Sequence, residues 1–266
     1  MKTVGIAIAA SLALTGCVGT TGASLFTFDA AAVGEENASG STLEFDSPRG
    51  FHVTLTRAKF HIGAVYIDTA LPVSGAGNTD CIVPDVENAL AYVGEVTNEL
   101  EVDALDAKPQ PFPGRGEAIG DPAIAGEVWL FHGDVNQIEG DTRVLDIAGK
   151  AESEGKEYPF EGTITIGRNR LPPVANPAAP SAHPICKERI VTGIPAHFTP
   201  TEGGSFALRI HPEGLFTNVD FSHLHQVSKS PLLYEFRDND NDPASLNLYR
   251  GLQAREGVYE FVWQAR

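Results

Sequence analysis

The sequence predicts an all-β protein, an antiparallel β-sandwich with long Pro-rich loops and one short C-terminal helix. Short β-type segments recur at roughly regular spacing with turn signals between them, which is typical of a sandwich or barrel. Two stretches, 108–116 and 171–184, are too rich in proline for central strands, because proline lacks the backbone donor of a strand ladder. Near the C-terminus, Pro243 to Gly251 suits a helix with Asp242 as its cap.

The clearest strand lies within residues 51–68, and it contains a change of phase. The apolar side chains that alternate with polar ones are Phe51, Val53, Leu55, Ala58, Phe60 and Ile62. An unbroken strand would place the first three and the last three on opposite faces. One extra residue near Thr56-Arg57, a β-bulge, restores a single apolar face. We therefore predict a bulge here, which also places His52 and His61 on one polar face.

The remaining segments complete a single β domain. The other predicted strands cover residues 24–29, 42–45, 91–96, 100–105, 126–135, 143–149, 158–167, 185–198, 205–211, 232–236 and 258–263. Glu154-Gly155-Lys156 predicts the turn of a hairpin between 143–149 and 158–167. No internal repeat is visible, so residues 24–266 are expected to form one β-sandwich domain.

The N-terminus has the form of an export signal. Lys2 precedes an apolar run, Val4 to Leu14, whose eleven residues span only about 16 Å as a helix, too short for a ~30 Å hydrocarbon core. The next residues, Leu14-Thr-Gly-Cys17, resemble the lipobox of bacterial lipoproteins. The resemblance implies a signal peptide at 1–16, acylation of Cys17 and an acylated tether at 17–23. The alternative is an ordinary secretory signal with a chance cysteine.

The lipobox resemblance also implies a location. Several acyl chains on Cys17 would hold the protein firmly, since each buried CH₂ contributes roughly 0.8 kcal/mol. Residue 18 is valine rather than the aspartate associated with inner-membrane retention in enteric bacteria. We expect a lipid-anchored protein of the outer membrane whose domain faces the periplasm or the cell surface.

Three cysteines are an odd number for an exported protein. If Cys17 carries lipid, Cys81 and Cys186 remain as a pair in an oxidising compartment, and a disulfide between them is predicted. It would close a loop of ~100 residues and contribute at most ~4–5 kcal/mol on the chain-entropy model. The alternatives are two separately buried thiols or two metal ligands. The metal-ligand alternative is disfavoured because neither cysteine has a second cysteine at zinc-like spacing.

Charge and motifs exclude several function classes. The net charge of −16 argues against a nucleic-acid partner and against electrostatic binding to anionic lipid. The sequence has no Gly-x-Ser-x-Gly elbow, P-loop or dinucleotide fingerprint, so we predict that the protein is not an enzyme. A hydrolase built from residues distant in sequence stays as an alternative. The expected partners are the membrane, through the lipid anchor, and a metal ion or an envelope protein.

Histidines are the main candidates for a metal site, and the chain has eight. The candidate ligands are His52, His61, His132, His223 and His225. His223 and His225 would share a face if Val219 to Val227 were extended, and His132 ends the Trp129-Leu-Phe strand. A site requires the two pairs to meet, or one pair to meet His132. The alternative for each is a solvated or turn histidine.

The type of metal follows from the ligands that are missing. Only Met1 is a methionine, and Cys81 and Cys186 are assigned to the disulfide. This excludes a blue-copper site and a Met-rich Cu(I) site. Imidazoles with oxygen ligands fit Cu(II) or Zn(II), so copper or zinc is the cofactor to test.

A second candidate for a metal is the acidic run from Asp238 to Asp242. Its oxygens at alternate positions resemble the start of a calcium loop. Pro243 stands where the loop needs glycine, and Tyr249 where it needs glutamate, so an EF-hand is rejected. The alternative is an acidic turn that caps the following helix.

A wider resemblance covers about half of the chain. Phe51-His-Val, Phe60-His-Ile-Gly, Tyr66 and the late aromatic strand 258–263, together with few thiols, resemble the copper-binding periplasmic proteins of methanobactin systems. Those proteins use histidines, and some members use a modified tryptophan. We therefore predict a periplasm-exposed lipoprotein that binds Cu(II) or Zn(II) through histidines. The alternative is a metal-free structural or protein-interaction lipoprotein of the cell envelope.

Overall fold

Two β-sheets pack face to face, and their inner faces form one continuous apolar core. The fold is seen in a computed structural model, which describes residues 24–38, 41–71, 92–137, 143–171, 185–238 and 242–266. Phe28 and Phe206 enter the core from one sheet, and Phe60 and Phe160 enter it from the other. All four side chains are almost completely buried, so the two sheets are held together mainly by apolar burial.

The described elements are sixteen strands and two α-helices. The strands are β1 (Phe26–Val33), β2 (Leu43–Asp46), β3 (His52–Ile62), β4 (Ala64–Asp68), β5 (Tyr92–Val96), β6 (Leu100–Asp103), β7 (Gln110–Pro111), β8 (Gly116–Ala118), β9 (Ala123–Trp129), β10 (Arg143–Ser153), β11 (Lys156–Thr165), β12 (Ile190–Phe198), β13 (Ser205–Ile210), β14 (His225–Lys229), β15 (Leu232–Phe236) and β16 (Tyr259–Gln264). The helices are α1 (Cys186–Arg189) and α2 (Pro243–Leu252).

The first sheet has nine strands in the order β12-β9-β4-β5-β8-β1-β13-β16, with β7 also paired to β1. The second has seven, in the order β14-β15-β11-β10-β3-β2, with β6 also paired to β3. The pairs β1–β13 and β11–β15 are parallel, and the other described pairs are antiparallel. The prediction of an all-β sandwich is confirmed, and its antiparallel character holds for all but these two pairs.

The bulge predicted near Thr56-Arg57 is confirmed. On β10, Ala148 faces Arg57 and Gly149 faces Leu55, so Thr56 is the extra residue of β3. A glycine is needed opposite the bulge, because a Cβ on Gly149 would lie 2.3 Å from the carbonyl oxygen of Thr54. The bulge keeps the apolar residues of β3 in the core and the polar ones on its outer face.

The predicted C-terminal helix is confirmed as α2. The carboxylate of Asp242 accepts hydrogen bonds from the backbone nitrogen and the hydroxyl of Ser245, both at 2.7 Å, and Pro243 occupies the first turn. The predicted strand 185–198 begins only at Ile190, because α1 occupies residues 186–189. The first Pro-rich stretch contributes β7, a two-residue strand, and β8, which begins after the last proline of the stretch.

Several sequence predictions lie outside the described residues. These are the lipobox with Cys17, the tether, Cys81 and most of the second Pro-rich stretch. Cys186, the other half of the predicted disulfide, is fully buried at the start of α1. The disulfide therefore stays a prediction. In the part of the chain that the structure describes, no helix is long and apolar enough to cross a membrane.

Candidate metal centre

The pairing of the strands brings His61, Glu99 and His132 to one place. His61 is the next-to-last residue of β3, and Glu99 immediately precedes β6, which pairs with that end of β3. His132 lies in the turn after β9. The backbone nitrogen of Gly63 donates to the carbonyl oxygen of Trp129 at 2.7 Å, so the end of β9 is tied to the end of β3.

Both imidazoles contact the same carboxylate oxygen. His61 Nε2 lies 3.2 Å from Oε2 of Glu99, and His132 Nδ1 makes a short contact with that atom. The two rings are perpendicular, with centroids 5.1 Å apart. One ligand atom from each of the three residues lies within 4.8 Å of the other two. The arrangement has two nitrogen donors and one oxygen donor converging on one point.

The turn that carries His132 is fixed by backbone geometry. Gly133 has φ of +75°, a left-handed conformation that favours glycine. Its backbone nitrogen donates to Oε1 of Glu99 at 2.7 Å. The buried guanidinium of Arg189 donates to the carbonyl oxygens of Asp134 and Val135, at 3.2 and 2.8 Å. The position of His132 is thus set by residues on two other parts of the fold.

The carboxylate of Glu99 is held in its charged form. Burial acts to raise its pKa, but hydrogen bonds from the Gly133 backbone, His132 and His61 outweigh burial and lower the pKa below its usual value. At neutral pH the site therefore presents a charged oxygen ligand between two imidazoles.

The site opens to solvent on the side of His132. The side chain of His132 is 73% exposed, whereas those of Glu99 and His61 are 29% and 21% exposed. A cleft of about 150 Å³ adjoins His61 and is also lined by Lys59, Glu101 and Arg143. A bound ion would therefore have three protein ligands and one position open to water or to a further ligand.

The other three candidate histidines do not join this site. His52 lies at the opposite end of β3, roughly 30 Å from His61 at about 3.3 Å per residue, and its Nδ1 contacts Oδ1 of Asp46 at 2.9 Å. His225 begins β14, four strand spacings or about 19 Å from β3. The condition that three histidines approach one another is not met among the described residues. Instead, Glu99 is the third member.

The extended conformation of residues 219–227, on which a shared face for His223 and His225 depends, is present only from His225 onward. Phe221–His223 form a 3₁₀ turn, and the strand begins at His225. The side chain of Asp220 starts the turn by accepting hydrogen bonds from the backbone nitrogen and hydroxyl of Ser222, at 3.0 and 2.6 Å. His223 and His225 are exposed on either side of the buried Leu224.

A second cluster contains a histidine that the sequence analysis did not choose. His211 Nδ1 lies 2.6 Å from Oε2 of Glu35 and 3.9 Å from Oε1 of Glu213, and its Nε2 lies 3.3 Å from Oε2 of Glu260. Burial lowers the pKa of His211, but the hydrogen bonds that its ring donates to Glu35 and Glu260 outweigh burial, and the net pKa is raised. Both ring nitrogens serve ion pairs, so this cluster is better suited to a protonated imidazole than to a metal.

The acidic run from Asp238 to Asp242 has structural roles at both ends. Asp238 accepts hydrogen bonds from Arg170 Nη2 at 2.5 Å and from the backbone nitrogen of Thr165 at 3.0 Å. Asp242 caps α2. The helix-capping alternative is therefore confirmed for Asp242, and these two carboxylates do not point toward a common calcium site.

A comparison of the chain with protein-family models found no match, and comparisons with curated proteins and with solved structures found none either.

Proposed function

We propose that the chain is a metal-binding module that holds Zn(II) or Cu(II) through His61, Glu99 and His132. The observation that carries this proposal is the convergence of both imidazoles on one carboxylate oxygen. Zn(II) is bound by nitrogen ligands at about 2.0–2.1 Å and by carboxylate oxygens at about 2.0–2.2 Å. Ligand atoms around such an ion lie roughly 3–3.5 Å apart, close to the 3.2 Å between His61 and Glu99.

The donor set selects among metals. Two imidazoles and one carboxylate suit Zn(II) and Cu(II), whereas Ca²⁺ takes six to eight oxygen ligands. Three protein ligands with an open fourth position are typical of sites where the metal meets another molecule. The exposed ring of His132 places that open position at the surface. The module would therefore capture an ion from solution or present it to a partner.

The N–H protons of the two imidazoles lie at the positions where a metal would bind. The imidazoles donate hydrogen bonds to Glu99, and an ion would replace those protons. Metal ligands must be deprotonated, so binding would release protons and weaken in acid.

The decisive experiment is a Zn(II) titration against a competing chelator, with Glu99→Gln and His132→Ala as test variants. We expect each variant to weaken Zn(II) binding well over tenfold, since even outer-shell partners of metal ligands contribute roughly 10–100-fold in affinity. Nitrogen NMR of the imidazoles should place the metal on Nε2 of His61 and Nδ1 of His132.

Two matched controls accompany the titration. Glu101→Gln removes a neighbouring carboxylate that pairs with Lys59, and the double variant His223→Ala/His225→Ala removes exposed histidines away from the site. Both controls should bind Zn(II) like the parent protein. If the controls weaken Zn(II) binding as much as the test variants do, or if Glu99→Gln binds Zn(II) like the parent protein, the proposed site is ruled out.

The second candidate function is a metal-free structural or interaction protein. It is favoured by the fact that the carboxylate of Glu99 is already satisfied by three hydrogen bonds without any ion. Under this alternative the cluster ties the β5–β6 turn to the turn after β9. The Zn(II) titration separates the two functions.

We further propose that the module is a lipid-anchored protein of the outer membrane with a Cys81–Cys186 disulfide. The lipobox resemblance of Leu14-Thr-Gly-Cys17 and the odd number of cysteines support this. Cys17→Ser should abolish metabolic labelling with palmitate and release the protein from membranes. The parent protein, denatured without reductant, should show no free thiol. Labelling that persists in Cys17→Ser would contradict the anchor.

A further inference from the structure

Asp68 is a fully buried carboxylate without a hydrogen-bond partner among the described residues. It ends β4, its exposure is 0%, and neither of its oxygens bonds to any part of the chain that the structure describes. Buried polar groups in proteins are nearly always hydrogen-bonded, and a buried charge is costly unless it is paired. Asp68 therefore requires an explanation beyond packing.

A second buried carboxylate lies on the same face of the sheet. In the register of β4 and β9, Tyr66 faces Glu127 and Asp68 faces Ala125, so Asp68 and Glu127 are diagonal neighbours. Such neighbours have Cβ atoms within about 7–8 Å. Glu127 is 5% exposed and accepts hydrogen bonds from Trp129 Nε1 at 2.8 Å and from Tyr92. Burial and, after it, the negative charge of Glu127 raise the pKa of Asp68 to about 8.

Aromatic rings stand beside the two carboxylates. The Tyr66 ring centroid lies 4.8 Å from that of Tyr92 and 4.9 Å from that of Trp129. These side chains lie on the outer face of the nine-stranded sheet, away from the main core. The side chain of Tyr92 is 39% exposed, so this aromatic cluster is in contact with solvent on one side. Aromatic faces next to carboxylates are the surroundings that proteins use to bind organic cations.

The described protein supplies no cation to this pair. Neither Asp68 nor Glu127 forms an ion pair with a basic residue among the described parts of the chain. The segment 72–91, which links β4 to β5, contains no Lys, Arg or His, and it adds Asp80, Asp85 and Glu87. A bound ligand or protons would supply the neutralising charge that these parts of the chain lack.

We propose that Asp68, Glu127, Tyr66, Tyr92 and Trp129 form a binding site for a small protonated primary amine. An ammonium group has three N–H donors, which match the two unpartnered oxygens of Asp68 and the carboxylate of Glu127. The alkyl part of the ligand would lie against the aromatic rings. A quaternary ammonium has no N–H donor and would leave Asp68 unsatisfied. Ca²⁺ would need six to eight oxygen ligands, and the carboxylates of Asp68 and Glu127 supply at most four. Glu95, which faces Tyr66 on β5, is a further carboxylate on this face of the sheet.

Fluorescence of Trp129 can test this site directly. The chain has two tryptophans, and Trp263→Phe leaves Trp129 as the single reporter. In this background the mature protein is titrated with n-butylammonium, 1-butanol, tetramethylammonium and Ca²⁺. We expect a saturable change in Trp129 emission with n-butylammonium and none with 1-butanol, which has the same shape without the charge.

Variants assign the response to the two carboxylates. Asp68→Asn and Glu127→Gln should each weaken n-butylammonium binding roughly ten- to hundred-fold, the range for a lost charge-assisted hydrogen bond. Glu117→Gln, on β8 of the same sheet, is the matched control and should bind like the parent. Circular dichroism verifies that each variant is folded. Isothermal titration calorimetry in buffers of different ionisation enthalpy should show proton release on amine binding near pH 7, because Asp68 is protonated in the free protein.

Three outcomes would overturn the proposal. Equal responses to n-butylammonium and 1-butanol, or no response to either, would mean that Asp68 is a neutral buried carboxyl without a ligand. A stronger response to tetramethylammonium would indicate a cage without hydrogen bonds to Asp68. A response confined to Ca²⁺ would indicate a metal. The site shares no residue with His61, Glu99 and His132, so its test is independent of the Zn(II) titration.

Discussion

Arg189 is a fully buried cation whose bonded partners are main-chain carbonyl groups. Its guanidinium donates to Ile166 O through Nε and Nη2, at 3.1 and 2.6 Å, and to the carbonyls of Asp134 and Val135 through Nη1. Burial acts to lower its pKa, but an arginine stays protonated in proteins. One side chain thus connects α1, the end of β11 and the turn that carries His132.

Replacing Arg189 should lower the free energy of unfolding several times more than replacing a surface arginine. In Arg189→Met, three carbonyl groups lose the guanidinium as a donor, although the Asp134 carbonyl still accepts from the backbone nitrogen of Gln137 at 3.0 Å. We expect the free energy of unfolding in urea to fall by about 3 kcal/mol or more. Hydrogen exchange at Asn136 and Gln137, whose amides bond to Asp134, should accelerate. Arg115→Met, at a largely exposed ion pair with Asp29, should change stability by about 1 kcal/mol or less. Parent-like unfolding of Arg189→Met would contradict this role.

The sequence predicted two of the three residues of the candidate metal centre. His61 and His132 stood out because histidines are few, whereas Glu99 is one of 35 acidic residues and has no distinctive neighbours. Glu99 enters the site through the register of β6 on β3, in which Glu101 faces His61. Register between distant segments is set by packing of the whole sheet, so no local pattern points to Glu99. Arg189 was missed for the same reason.

Among the helices and strands, the sequence was most informative where a local pattern is compatible with only one local structure. The change of phase within residues 51–62 allows one apolar face only with a bulge, and the bulge is present at Thr56. Asp242 before Pro243 gave the start of α2. In both cases the decisive contacts lie within a few residues of each other in the chain.

Elements were missed where two local signals compete. Val219 and Phe221 have the two-residue spacing of one strand face, but Asp220 bonds to the Ser222 backbone and favours a turn. Similarly, α1 has only four residues inside a segment that reads as a strand. The parallel pairing of β1 with β13 joins parts of the chain about 175 residues apart. Apolar and polar residues alternate along a strand in the same way whether its neighbour is parallel or antiparallel, so this pattern does not predict the parallel pairing.

For the whole molecule, the pKa shifts of buried groups predict that stability depends on pH. The folded protein raises the pKa of Asp68 to about 8 and also raises the pKa values of Glu127, Glu95, Glu213 and His211. A group with a raised pKa binds protons in the folded state that it releases on unfolding. Its stabilising contribution is complete below the unfolded pKa and is lost as pH rises through the folded pKa.

Three carboxylates oppose this trend at low pH. The pKa values of Glu99, Asp220 and Glu152 are lowered, so their contribution is present above the unfolded pKa and is lost as pH falls through the folded pKa. These losses belong to the range below about pH 4, where ordinary carboxylates titrate. Stability should therefore be greatest in mildly acidic solution, between the two ranges.

We expect the free energy of unfolding to fall between about pH 5 and pH 8, and Asp68→Asn to remove most of that slope. The pKa of Asp68 moves from 3.8 to about 8 on folding, which corresponds to a loss of several kcal/mol across this range. Asparagine is neutral at every pH and keeps the size of the side chain, so the variant should be more stable than the parent at pH 8. Urea unfolding at pH 5, 6.5 and 8 measures this, with Glu117→Gln as the control.

If Asp68→Asn keeps the parent's slope, the carboxylate of Asp68 is already neutralised by a cation at high pH, or it is not buried in solution. A repeat with saturating n-butylammonium separates these two explanations, because only a site with a buried carboxylate pair would gain stability from the amine as pH rises.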